Sequence, residues 1–129
     1  MELISRERVA DLLCGALEGG SNYWYNLPDL EMVRMLTKEM KGQPIVDRII
    51  TAVYDHGASI EVYDIEDYNI DNDENEKLGD FNLAAIESGN NIMFNDYPNQ
   101  FADVLNENDD AETADVWFQL CVMGKLVYC

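Results

Sequence analysis

Val9, Leu12, Leu13, Ala16 and Leu17 recur at intervals of three and four residues. A chain with that spacing puts all five side chains on one core only as an amphipathic helix. Ser5 is placed to cap its first turn. Gly19-Gly20 is placed to end it, because glycine accepts the left-handed conformation at a helix C-terminus. The predicted helix therefore spans Ser5–Glu18. A second helical stripe, Leu30, Val33, Leu36 and Met40, predicts a helix from Leu30 to Lys41 closed by Gly42. A third follows Asn82 with Leu83, Ile86 and Met93 and breaks at Tyr97-Pro98. Pro98 opens a short helix carrying Phe101, Val104 and Leu105. The last, Ala111 to Met123, turns Ala114, Trp117, Leu120 and Cys121 inward, with Asp110 as its cap and Gly124 as its stop.

Residues 44–55 carry two signals. Ile45, Ile49, Ala52 and Val53 fit a helix with proline in its first turn, while the β-branched content fits a strand. His56-Gly57 reads as a helix stop, so helix is favoured. Ser59-Ile60-Glu61-Val62-Tyr63 alternates polar and apolar and predicts a strand. Leu78 to Phe81 is a short partner for it, which makes Asp64–Lys77 an acidic hairpin loop. Leu126-Val127-Tyr128 reads as a final strand. The expectation is one α+β domain over residues 1–129, helix-rich, with a small antiparallel sheet.

Charge narrows the function classes. The 129 residues hold 26 acids and 8 Lys or Arg, for a net charge of −18. The imbalance is local: residues 49–129 contain eighteen acids against Lys77 and Lys125, and no base lies between those two lysines. Phosphates are repelled by such a chain, so nucleic acid and anionic membrane are excluded as direct ligands. The charge permits a basic protein partner or a divalent cation. No apolar run approaches the about 18 residues of a membrane span. The start of the chain, Met1-Glu2-Leu3-Ile4-Ser5-Arg6, reads as no signal peptide.

No catalytic, cofactor or metal residues emerge from the sequence. Cys14, Cys121 and Cys129 form no C-x-x-C pair, and an odd count points to free thiols in a reducing cytoplasm. His56 reads as a helix-terminal, exposed histidine. Asp71-Asn72-Asp73-Glu74-Asn75 begins like a calcium loop, but Glu76 and Asn82 stand where such a loop needs Gly and Glu. Asp109, Asp110, Glu112 and Asp115 cluster without a nearby base, and capping explains Asp110 and Glu112. Glu18-Gly19-Gly20-Ser21-Asn22 follows a helix and lacks a phosphate-binding lysine. An enzyme is therefore not expected. Tyr23-Trp24-Tyr25 cannot all face one side, so part of this aromatic surface is exposed or covers the core from a loop.

Two stretches are distinctive together: Ala16 to Tyr25, reading Ala-Leu-Glu-Gly-Gly-Ser-Asn-Tyr-Trp-Tyr, and Glu107 to Gln119, opening Glu-Asn-Asp-Asp-Ala-Glu-Thr-Ala-Asp. With the tail Gly124-Lys125-Leu126-Val127-Tyr128, they resemble a family of small acidic proteins encoded by bacteriophages and prophages. The likeness is poorest over residues 42–80. It implies no activity and carries over no functional residue. A phage origin implies a host-cytoplasmic binding protein, and carboxylates on a rigid surface can imitate a phosphate array. The expected function is a host-defence inhibitor that mimics nucleic acid, with Asp71, Asp73, Glu74, Asp109, Asp110 and Asp115 against a basic, nucleic-acid-handling host protein. The alternative is a phage accessory or regulatory protein that binds a protein partner through Tyr23, Trp24 and Tyr25.

Overall fold

The computed structural model describes residues 2–65 and 76–128, which form six α-helices and a three-stranded antiparallel sheet. The first helix, α1, spans Arg6–Gly15. The Ser5 side chain accepts from the Arg8 backbone N–H, as its position predicts. The helix does not stop at a left-handed glycine. It widens into a π-helical turn over Ala16–Gly20, and neither Gly19 nor Gly20 has positive φ. The physical reason for Gly20 is packing: a Cβ there would lie 2.2 Å from the Ala111 carbonyl oxygen.

The second stripe also divides differently. Helix α2 covers Leu30–Leu36, and a 3-10 turn covers Lys38–Met40. Between them the buried Thr37 donates its hydroxyl to the Val33 carbonyl. The buried Arg48 guanidinium donates to Thr37 Oγ1 and to the Arg34 and Thr37 carbonyls. A cation on these last carbonyls satisfies groups that a continued helix would otherwise have bonded. Arg48 comes from α3, Ile45–His56, so the ambiguous segment is helical from Ile45 on, with Pro44 just outside its first turn and Gly57 left-handed at φ 65°.

Strand β2, Ile60–Asp64, pairs antiparallel with β3, Lys77–Phe81. The other edge of β2 is covered by β1, the two residues Tyr25–Asn26, a pairing that no alternation predicts. Helices α4 (Leu83–Asp96), α5 (Pro98–Leu105) and α6 (Ala111–Met123) complete the chain. Asn82 caps α4 and Asp110 caps α6, each accepting from the backbone N–H three residues on. Two stripe residues are not core: Leu83 and Leu105 are exposed, Leu105 at 56%.

Residues 126–128 form no strand. Gln119, buried on α6, takes the place of a partner strand. Its Oε1 accepts from the Val127 and Tyr128 N–H groups, both at 2.9 Å, and its Nε2 donates to the Tyr128 carbonyl. One side chain thereby satisfies three backbone groups of the tail.

Helix α6 is the axis of the core, with nine of its thirteen residues buried. Three glycines admit its neighbours. A Cβ at Gly20, Gly79 or Gly89 would fall within 2.5 Å of an α6 atom: the Ala111 carbonyl, the Val122 carbonyl and the Cys121 Sγ, respectively. Backbones that close leave no room for a methyl group. Around α6 lie Leu12 and Leu13 of α1, Ile86 and Met93 of α4, and Phe81 of β3, all buried.

Candidate functional site

The two distinctive stretches meet at one carboxylate. The π-helical turn and its glycine seam deliver Ser21, Tyr23 and Trp24 to the first turns of α6, where Asp115 stands. Asp115 Oδ1 accepts from Ser21 Oγ at 2.7 Å and from Trp24 Nε1 at 2.8 Å. Its Oδ2 accepts from Tyr23 Oη at 2.7 Å and from Gln119 Nε2 at 3.2 Å. Four donors converge on two oxygens, which leaves this carboxylate little capacity as a general base. Tyr128 stacks on Trp24 with centroids 5.3 Å apart and an interplanar angle of 10°, and donates its hydroxyl to Asp64. The segment 16–25, the start of α6 and the tail are therefore one packed unit, joined through Asp115, Gln119 and Tyr128.

The aromatic triplet is mostly interior. Trp24 is 1% exposed, and Tyr25 is half-buried and donates its hydroxyl to the Leu17 carbonyl at 2.8 Å. Tyr23 is the exposed member, at 42%. Tyr23 and Trp24 stand in the turn before β1 and Tyr25 opens that strand, so the triplet divides between an exposed ring and interior ones.

The acid candidates separate by environment. Asp71, Asp73 and Glu74 lie outside the described residues. Asp109, its side chain 16% exposed, forms an ion pair with Arg8, which also donates to the Val104 carbonyl and to Asp11. Asp109 thus ties α1 to the chain after α5. Asp110 accepts from the Thr113 N–H and hydroxyl, and these bonds hold its pKa below the ordinary carboxylate value. Asp115 is the hub already described. The structure gives these three internal partners. By contrast Glu87, Asp96, Asp103, Glu107 and Glu112 make no ion pair among the described residues, although they share the base-free part of the chain. Glu87 and Asp96 ride on α4, Asp103 on α5 and Glu112 on the first turn of α6.

Cys14 is half-buried and Cys121 fully buried, both as free thiols; Cys129 lies outside the described residues. Desolvation raises the pKa of both described thiols, and that of Cys121 strongly. His56 ends α3 and is exposed. No group of three His, Cys, Asp or Glu residues is placed to hold a metal ion among the described residues.

One cleft stands apart from these features. It has a volume of about 400 Å³ and opens between the N-terminal segment, α3 and α4. Glu2, Ile4, Tyr54, Ile86, Glu87 and Asn90 line it. Asn90 is 4% exposed; its Oδ1 accepts from the buried Trp117 Nε1 at 2.8 Å. Sequence reasoning passed over this cleft. A signal was present in Ser88-Gly89-Asn90-Asn91, a run of weak helix formers inside a helix, which marks positions held by tertiary demands.

Among the described residues no helix is long and apolar enough to cross a membrane. No family model, curated protein or solved structure matches this chain.

Proposed function

We propose that this chain is a phage-type binding protein whose acidic surface occupies the nucleic-acid site of a basic host-defence enzyme in the host cytoplasm. The observation that supports the reading is the set of acids without an ion pair among the described residues, Glu87, Asp96, Asp103, Glu107 and Glu112, four of them inside helices that pack on one core. Rigid carboxylates without counter-charges raise a local negative potential and attract a basic groove, as a phosphate backbone does. They cost the fold little: exposed charge pairs are worth about 0–1 kcal/mol, so their absence here is tolerable. The acids with internal partners, Asp109, Asp110 and Asp115, hold the scaffold that presents them.

The test uses the free acids, because substituting the internally bonded ones changes stability together with charge. Wild type and a Glu87→Gln, Asp96→Asn, Asp103→Asn, Glu112→Gln variant are used to capture partners from host extract. Any captured nuclease is then assayed for inhibition. Wild type should retain a basic nucleic-acid enzyme at low salt, inhibit it, and release it to added salt or duplex DNA. The variant should associate more slowly and show a flatter salt dependence. Equal capture by both proteins, undiminished at high salt, would refute the mimic and turn attention to exposed Tyr23.

A further inference from the structure

We infer that the cleft between the N-terminal segment, α3 and α4 is a seat for an arginine side chain of the basic partner. The inference rests on the proposed reading for its choice of partner, and its chemistry comes from the cleft itself. Glu87 lies on the rim, exposed, with no side-chain hydrogen bond or ion pair among the described residues. Glu2 faces the same space, and one of its oxygens accepts from the Arg6 backbone N–H at 3.0 Å, which leaves the other available. Two carboxylates on one cleft favour a cation and repel an anion. Ile4 and Ile86, both buried, supply an apolar wall.

Asn90 adds a separate observation. Its side chain is buried, and Trp117 fixes its orientation by occupying Oδ1. Its Nδ2 has no hydrogen-bond partner among the described residues, although the residue lines the cleft. With Oδ1 engaged by Trp117, the Nδ2 is left to donate to an acceptor that enters the cleft. A bare metal ion offers none. An arginine residue offers every element: a guanidinium for the carboxylates, an apolar stem for the isoleucines and a main-chain carbonyl for Asn90. The volume of about 400 Å³ falls within the range of small-ligand sites and suits one side chain with its peptide groups. Arg6 does not fill this role itself: it lies over the Tyr54 ring at 5.1 Å and forms its ion pair with Asp55.

The probe is N-acetyl-arginine N-methylamide, titrated into isotopically labelled full-length protein and followed by amide chemical shifts. The expected result is saturable shifts at Ile4, Ile86, Glu87 and Asn90, with none from the norleucine analogue at equal concentration. Glu87→Gln should weaken binding about five-fold, the equivalent of roughly 1 kcal/mol. Glu112→Gln, outside the cleft and equal in charge change, should leave it unaltered. Lysine amide binding as tightly as arginine amide would overturn the choice of a planar head group. Shifts spread over all acidic surfaces, or equal weakening by both variants, would overturn the site. Because the probe is a small molecule, its failure does not depend on whether a partner is captured, and the two readings fail separately.

Discussion

Removing the Asp115 carboxylate should unfold more of this protein than removing any exposed acid. Asp115→Ala deletes the acceptor of four donors. Two of these belong to buried residues, Ser21 at 0% and Trp24 at 1% exposure. A buried donor left unsatisfied costs about 1–3 kcal/mol. The Ser21 hydroxyl can rotate, so it counts at the low end, while the Trp24 indole is held between Phe118 and Tyr128 and cannot turn away. Tyr23 is exposed and recovers a water. The expected loss is then about 3–4 kcal/mol, a large part of a small domain's total stability. The comparison that isolates the effect is Glu112→Gln, three residues earlier on the same helix, exposed and identical in charge change. It should fall within about 0.5 kcal/mol of wild type, as surface substitutions do. Chemical denaturation followed by tryptophan fluorescence gives both values at constant m. Asp115→Asn should lie between them, because one oxygen remains for Trp24 while an NH₂ now faces Tyr23 and Gln119. If Asp115→Ala and Glu112→Gln share one denaturation midpoint, Asp115 is not a structural hub and the packed unit is held by ring contacts alone.

Three further outcomes follow from the geometry. Gly89→Ala gains about 1 kcal/mol of helix propensity, but its Cβ would sit 2.8 Å from the Cys121 Cα and N. The net effect should be a loss of about 1–3 kcal/mol in thermal or chemical unfolding; Cys121→Ala in the same chain should not restore it, since the clash includes backbone. Asp110→Ala should cost about 0.5–2 kcal/mol at neutral pH. The folded Asp110 has a lowered pKa, so its contribution is present above the unfolded value near 3.9 and fades as pH falls through the lower folded value; a difference between wild type and variant that grows on acidification would contradict this. Cys121, buried and with its pKa pushed well up, should resist an aromatic disulfide reagent at pH 8 in native protein and react on denaturation; mass spectrometry of the labelled peptides reports it directly.

Much of the fold is local information. The stripes that open at Val9 and Ala114 are readable because helix periodicity is a property of a few adjacent residues; the one that opens at Leu83 holds from Ile86 on, Leu83 itself being exposed, and residues 44–55 carry a strand signal beside the helical one. Ser5, Asn82 and Asp110 cap as their positions dictate, and Gly57 and Gly124 stop their helices, because caps and stops act within one turn. The acid imbalance after residue 48 is equally plain in sequence. What sequence could not supply is every feature whose partner lies far along the chain. The helix expected over 30–41 breaks at Thr37 because Arg48 arrives from another helix. The strand expected at 126–128 is replaced by one glutamine side chain, and the two-residue β1 exists because β2 lends it an edge. Gly20 looks like a helix stop and is in fact a point of contact, a distinction that depends on Ala111, ninety-one residues away. Asp109, Asp115 and Glu112 are alike as acids in a run, yet Arg8 engages the first, a buried indole the second and no ion pair the third. A carboxylate's role is set by which donors and cations reach it, and folding alone brings those within hydrogen-bonding distance.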